Sequence, residues 1–222
     1  MSTSYHTARQ EVMLEMSALG NPSHCPLGMY VIPSPDDVFK WSGILFVHKG
    51  YYASGAFSFT VTIPTSYPSS PPVVHFQPST FHPLIDPTDG RFALTSRFPN
   101  WRPRVDFLFH VLHFLKASFK RASLDELREA SCLNKEAYRL YRDQTPLFTK
   151  LAAQSAKLSI TDASLFGSTT KGAKDGRSEI KFRKLEEGEE EELREKLESE
   201  GRARLVKKAG GSVGPATKTG HR

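Results

Sequence analysis

The sequence predicts an α+β domain in which helices cover one face of a four-stranded antiparallel sheet. Three observations support this class: a helix-forming segment at the start, four short runs of alternating apolar residues, and helical periodicity in the chain that follows. The aromatic residues needed for a core lie before residue 167, apart from Phe182. The predicted domain therefore covers residues 1–160.

The first helix is predicted over residues 4–19, because good helix formers fill it and Gly20 and Pro22 stop it. Four strands are predicted next, over residues 28–33, 38–48, 56–64 and 73–76. The third has the clearest alternation of apolar and polar residues, which is typical of a strand with one buried face. Short links between the strands favour an antiparallel meander.

A long, proline-rich segment follows from residue 77 to residue 104, and a loop of that length in a compact domain usually has a function. A helix is predicted over residues 104–121, with an apolar stripe that runs from Val105 to Phe119. Asn134 is a good N-cap for the next helix, and Pro146 suits the first turn of another.

The composition changes after this region. Residues 161–178 are predicted to be a flexible linker, and residues 209–222 a disordered tail. Between them, residues 179–208 are charged on all sides, with six glutamates between positions 186 and 192. Such a segment is either a solvated, mobile stretch or a helix that meets a partner.

Charge and cysteine content exclude several classes. The 30 basic and 24 acidic residues are spread over both parts of the chain without a basic, aromatic stripe, so we expect no nucleic-acid partner. Cys25 and Cys132 are too few for a disulfide framework and match no zinc spacing. No apolar run suits a signal peptide or a membrane span. We expect a cytoplasmic protein without a cofactor, a metal or direct membrane insertion.

The region from residue 67 to residue 103 contains short motifs in a distinctive order. They are Tyr67-Pro68, Pro71-Pro72, Phe81-His82-Pro83, Gly90 and Trp101-Arg102-Pro103. This order resembles the core of the ubiquitin-conjugating enzymes (E2), and the resemblance covers residues 1–160. It implies the UBC fold of that family. It also implies that the proline loop and the first helix form a partner-binding end.

The chain departs from this family where the chemistry would occur. In active members an asparagine follows the His-Pro pair and stabilises the oxyanion, whereas Leu84 stands here without a donor. A cysteine that carries the ubiquitin thioester follows the loop glycine in active members, and the equivalent position here is Ala93. The resemblance therefore implies a degenerate, inactive catalytic position formed by His82, Pro83, Leu84 and Ala93.

Within the inert members, residues 81–90 resemble the AKT-interacting protein family, also called fused toes or crossbronx. That resemblance implies a non-catalytic adaptor subunit that binds Hook-family coiled-coil proteins and a Hook-interacting scaffold. The assembly would link endosomal or vesicle cargo to dynein and microtubules, with the protein peripheral on those structures through its partners. The family name implies a contact with an AKT-type kinase.

Other interpretations remain open. The chain could be a ubiquitin-binding E2 variant that supports an active enzyme, or an active enzyme that uses Cys132 or Cys25. His110 and His113 lie three residues apart and could share a metal, but no third ligand is near in sequence, so a helix surface is favoured. The partner-binding candidates, which could equally form a rigid crossing between strands, are Tyr67, Pro68, Pro71, Pro72, Trp101 and Arg102.

Overall fold

A computed structural model describes residues 3–21, 23–77, 79–166, 180, 182–186 and 188–210. Helix α1 (Thr3–Ala18) precedes four strands: β1 (Met29–Pro33), β2 (Lys40–Val47), β3 (Gly55–Thr62) and β4 (Val73–Phe76). Each strand pairs antiparallel with the next in chain order. The predicted meander is confirmed, with every strand end within two residues of its expected position.

The later part of the first unit is helical. Its helices are α2 (Leu108–Ser118), α3 (Arg121–Asp125), α4 (Lys135–Asp143), α5 (Thr145–Ser159) and α6 (Asp162–Phe166). Helix α5 packs on β3, and the Ser159 hydroxyl at its end accepts a hydrogen bond of 2.9 Å from the Ala56 amide. Helices on one face of an antiparallel sheet are the predicted α+β arrangement, which is confirmed.

The core lies between the sheet and these helices. Alternate strand residues such as Trp41, Leu45 and Phe57 point inward and are buried. The Phe57 ring lies 5.1 Å from that of Phe119, which follows α2, and the fully buried Phe148 of α5 contacts the Tyr52 ring. Aromatic side chains therefore join the sheet to the helical layer.

Helix α2 begins later than predicted. Arg104 has a positive φ of 60°, and the Asp106 carboxylate accepts a 2.8 Å hydrogen bond from the Arg102 amide, so residues 102–106 form a turn. The predicted start at residue 104 is therefore wrong. Val105 is 49% exposed and does not belong to the buried stripe, whereas Phe119 is buried as expected just beyond the helix.

Two predicted helix starts are confirmed. The Asn134 side chain accepts a 2.9 Å hydrogen bond from the Ala137 amide at the start of α4, and Pro146 lies in the first turn of α5. The predicted linker was placed too early, because residues 162–166 form α6, in which the Ser164 hydroxyl donates to the Leu158 carbonyl. The rest of that segment and residues 211–222 lie outside the described residues.

A second unit comprises residues 183–222. Its helix α7 (Glu189–Gly210) falls in the segment for which a helix was one of two interpretations. Arg183 pairs with Glu189 at the start of this helix at 2.6 Å, and Glu189 also accepts from the Glu186 amide. Within the described parts of both units, no helix is long and apolar enough to cross a membrane.

Tyr52 provides a test of the core packing. It is fully buried among the rings of Phe57, Phe119 and Phe148, and its hydroxyl has no hydrogen-bond partner among the described residues. Because an unpaired buried hydroxyl costs free energy, we expect Tyr52→Phe to raise the free energy of unfolding by about 1 kcal/mol in urea denaturation. Tyr141→Phe is the matched control: its hydroxyl donates to the Asp125 carboxylate, and we expect it to lower stability. Equal losses of stability in both variants would contradict the conclusion that the Tyr52 hydroxyl is unpaired.

Candidate functional site

The long segment after β4 is held against the sheet by backbone hydrogen bonds. Phe76 of β4 donates to the Gly90 carbonyl, and Phe92 donates to the Val74 carbonyl, both at 2.8 Å. Gly90 has a φ of 78°, a conformation that favours glycine at this turn. From the other side, the Ser155 hydroxyl of α5 accepts from the Phe81 amide at 2.9 Å. The irregular segment is therefore rigidly positioned.

Leu84 and Ala93 lie directly opposite each other in this segment. The Ala93 amide donates a 2.8 Å hydrogen bond to the Leu84 carbonyl, next to a bridge between Ile85 and Phe92. Leu84 is 1% exposed and Ala93 is 5% exposed. The two predicted site positions thus come together as a closed apolar pair. Neither side chain offers a nucleophile or a hydrogen-bond donor, and the sequence contains no cysteine between Cys25 and Cys132.

His82 is fully buried, and both of its ring nitrogens form hydrogen bonds with backbone groups. Its Nδ1 accepts from the Leu84 amide at 3.0 Å, so Nε2 carries the proton and donates to the Ser118 carbonyl at 3.1 Å. Burial lowers the pKa of His82 to about 4, although the bond to Ser118 opposes this shift, so the ring is neutral at neutral pH. The neighbouring Pro83 carbonyl accepts from the Asn134 amide at 3.0 Å. His82 and Pro83 therefore tie this segment to α2 and α4.

The two cysteines are poorly suited to nucleophilic attack. Cys132 is buried, and burial raises the pKa of its thiol to about 11. Burial also raises the pKa of the Cys25 thiol, although the nearby Lys116 charge opposes the shift. Since the thiolate is the reactive form, both side chains are predominantly unreactive thiols at neutral pH.

The proline loop and the tryptophan motif meet at one end of the domain. The Trp101 indole donates a 2.8 Å hydrogen bond to the Pro68 carbonyl, and its ring centroid lies 6.2 Å from that of Tyr67. Helix α1 joins them, because the Tyr67 hydroxyl donates to Glu15 and Arg104 pairs with Glu11 at 3.1 Å. The structure therefore brings these sequence-predicted residues together.

Only part of that set is available to a partner. Tyr67 and Pro72 are buried, so they support the surface and cannot themselves be its contact residues. The exposed or half-buried members, together with Leu14 of α1, are defined here as the proline-loop surface: Leu14, Pro68, Pro71, Trp101 and Arg102. Leu14 is 67% exposed and was not recognised from the sequence, although an apolar residue on the solvent side of a helix is a usable signal.

Glu15 is a second residue that the sequence did not reveal. Its carboxyl group lies between α1 and the start of α2, where it accepts from the Tyr67 hydroxyl and the Leu108 amide. Burial raises the pKa of Glu15 to about 7, and the Glu11 charge adds to this effect, while the bond from Leu108 opposes it. A carboxyl group that titrates near neutral pH therefore holds Tyr67, which supports the proline-loop surface, against α1.

We expect this group to make stability depend on pH. The folded pKa lies above the ordinary 4.5, so the folded state binds the proton more tightly, and the stabilisation present below pH 4.5 is lost as pH rises towards 7. Glu15→Gln stays neutral and keeps an acceptor. Its free energy of unfolding relative to wild type should therefore increase between about pH 5 and about pH 8 in urea denaturation. If the difference in the free energy of unfolding between Glu15→Gln and wild type stays constant over this range, the raised pKa of Glu15 is contradicted.

The histidines of α2 do not form a metal site with other described residues. No group of three metal-ligating side chains occurs among the residues that the structure describes. His110 accepts from the Phe107 amide through Nδ1 at 3.2 Å, and His113 bonds the Ser23 carbonyl through Nε2 at 2.9 Å. Both rings therefore form hydrogen bonds with the backbone at the surface of α2.

Comparison with known proteins agrees with this architecture. A sequence profile described as "Ubiquitin-conjugating enzyme" matches residues 11–156. The chain is 37% identical over 136 residues to a protein crossbronx homolog of Culex quinquefasciatus, covering 60% of this chain and 58% of that protein. It is 36% identical over 132 residues to the human AKT-interacting protein, covering 59% of this chain and 44% of the relative.

A crossbronx homolog of Anopheles gambiae is 34% identical over 123 residues, which cover 54% of each chain. The chain thus spans about half the length of the curated relatives it matches. The matched region contains the sheet, the long segment after it and helices α2 to α4. The chain therefore belongs to the ubiquitin-conjugating enzyme family, within which it is similar to the crossbronx and AKT-interacting proteins.

Proposed function

We propose that this protein is a non-catalytic, E2-like adaptor subunit that works by binding other proteins. The observation that supports this most strongly is the closed pair of Leu84 and Ala93 at the position where active members of the family place an asparagine and a cysteine. Forming the thioester requires an accessible thiolate, and the transfer that follows requires a donor for the oxyanion. A buried alanine methyl and a buried leucine supply neither.

The proposed partner is a Hook-type coiled-coil protein together with a Hook-interacting scaffold, in an assembly that links endosomal or vesicle cargo to dynein and microtubules. The protein would then be cytoplasmic and peripheral on endosomes or microtubules through these partners. An AKT-type kinase is a further proposed partner, on the strength of the relatives' printed name. The proline-loop surface is the proposed docking site, because it exposes Leu14 and Pro71 on a rigid frame that Trp101 and Tyr67 support.

The direct test is binding of the purified full chain to a purified Hook-type coiled-coil protein by isothermal titration calorimetry. We expect Leu14→Glu to weaken binding by about tenfold or more, since a charge placed in an apolar contact must be desolvated. Leu158→Glu is the matched control, because Leu158 is 44% exposed on α5 and lies outside the proline-loop surface. Absence of binding by the wild-type chain, or equal losses in the two variants, would overturn the proposed docking.

A ubiquitin-binding variant is the second candidate function, and the outer face of the sheet favours it. Tyr30, Ile32 and Val73 are exposed apolar side chains on β1 and β4. Titration with ubiquitin, read by NMR, tests this candidate, and Ile32→Asp should abolish binding if the sheet face is the site. No spectral change with excess ubiquitin would remove the candidate.

An activity assay separates both candidates from an enzyme with a displaced cysteine. Incubation with activating enzyme, ATP and ubiquitin should give no reductant-sensitive adduct on the wild-type chain. We expect none on Ala93→Cys either, because that side chain would be enclosed beside Leu84, with no donor for the oxyanion. An adduct on the wild-type chain that Cys132→Ala or Cys25→Ala abolishes would overturn the non-catalytic proposal. An adduct on Ala93→Cys alone would show that only the thiol has been lost.

A further inference from the structure

A groove runs along the exposed side of α2, between this helix and residues 97–106. Its volume is about 660 Å³, within the range of about 300–1,000 Å³ that is usual for ligand pockets. We call it the basic groove and define it by Arg97, Phe98, Val105, His110, His113 and Phe114. Arg102 lies at its edge and also belongs to the proline-loop surface, whereas the six defining residues do not.

The apolar part of the basic groove is formed by half-buried rings and one exposed aliphatic residue. The rings of Phe98 and Phe114 meet edge to face with their centroids 6.0 Å apart. Val105 adds an exposed isopropyl group, because the turn at Arg104 takes it out of the helix. Such a lining is suited to an apolar side chain.

The charged part of the basic groove is cationic. The Asp106 carboxylate is paired with Arg102, so its charge does not neutralise another cation. It accepts hydrogen bonds of 2.9 and 3.2 Å from the Arg102 guanidinium and a third from the Arg102 amide. The Arg97 side chain is exposed and makes no hydrogen bond or ion pair with a described residue. His110 and His113 of α2 line the other wall as polar rings, and because burial lowers the pKa of His110, the positive charge comes from Arg97. An uncompensated guanidinium beside an apolar lining is complementary to a carboxylate that follows or precedes an apolar side chain.

We propose that the basic groove binds an acidic peptide segment of a partner protein, with a leucine or phenylalanine side chain against Phe98, Phe114 and Val105 and a glutamate or aspartate paired with Arg97. The coiled-coil docking proposed above involves different residues, apart from Arg102, which both surfaces share. It predicts a partner whose recognised segment is short, acidic and interrupted by large apolar residues.

The test uses the full chain and a short fluorescein-labelled peptide in which glutamates surround one leucine and one phenylalanine. We expect saturable binding by fluorescence polarisation that weakens as NaCl is added. Arg97→Glu and His113→Glu, one on each wall, should each weaken binding by about tenfold or more. Lys150→Glu, an exposed site on α5 with the same charge change as Arg97→Glu, should leave it unchanged. Thermal unfolding of each variant confirms that it folds.

Comparison peptides determine what is recognised. A peptide of equal charge with alanine in place of leucine and phenylalanine should bind at least about fivefold more weakly, because the apolar contact is lost. Equal binding of both peptides, or equal losses in Arg97→Glu and Lys150→Glu, would show non-specific attraction and overturn the proposal. Binding to phosphatidylserine vesicles that Arg97→Glu abolishes, without peptide binding, would identify a membrane surface instead and also overturn it.

Discussion

Replacing His82 with alanine is expected to lower the free energy of unfolding by about 4 kcal/mol. The ring is fully buried and bridges two backbone groups, the Leu84 amide and the Ser118 carbonyl. Alanine leaves both groups unpaired and opens a cavity beside Phe119, whose ring centroid lies 4.8 Å from that of His82. Urea denaturation near neutral pH measures the loss. His6→Ala, an exposed site on α1, is the control and should change stability little.

The same residue should make the wild-type protein sensitive to acid. The folded pKa of His82, about 4, lies below the ordinary 6.5, so the unfolded chain takes up the proton first as pH falls. The stabilisation is fully present above pH 6.5 and is lost as pH falls towards 4. His82→Asn, which is neutral at all these values, should therefore lose less stability than wild type over that interval. Parallel pH profiles for the two proteins would contradict the assignment.

A His-Pro pair in an E2-like loop is readily taken as a catalytic remnant, and the structure supports the alternative that sequence reasoning preferred. Both histidine nitrogens are occupied by backbone groups, so the residue is needed to hold the segment whether or not chemistry occurs there. Local motifs were sufficient to predict the segment and its apolar positions. They could not show that Leu84 and Ala93 are hydrogen-bonded to each other, because that contact depends on the turn at Gly90.

The strands were predictable for a related reason. In β3 one face is more deeply buried than the other, and this leaves an alternating apolar pattern in the sequence, whereas the central strand β2 is buried on both faces and is largely apolar. The start of α2 was not predictable, because the left-handed conformation at Arg104 accompanies a tertiary turn closed by Asp106 and Arg102. The role of Glu15 was not predictable for a similar reason. The sequence of α1 does not show that the Tyr67 hydroxyl and the Leu108 amide, which lie far away in the chain, donate hydrogen bonds to this carboxylate.

A contact between neighbouring strands explains why position 43 of β2 is a glycine. Its position in the middle of β2 is unfavourable for strand stability, and the alternation predicts an inward-facing side chain there. Gly43 pairs directly with Phe59 of β3, and a Cβ atom at position 43 would lie 2.5 Å from Cε2 of that ring. The ring is 2% exposed and packs on Phe76 at 5.4 Å between centroids, so it has little room to move. The absence of a side chain at Gly43 makes room for Phe59.

We therefore expect Gly43→Ala to lower the free energy of unfolding by about 3 kcal/mol, although alanine normally suits a strand at least as well as glycine. The reason is overpacking against Phe59, so the effect should depend on that ring. In the Phe59→Leu background the cost of Gly43→Ala should fall below about 1 kcal/mol, which a double-mutant cycle in urea denaturation would measure. Additive losses would instead mean that the backbone at position 43 itself requires glycine. A dependence on Phe59 would locate the constraint in the same aromatic layer that joins the sheet to α2 and, through His82, to the candidate site.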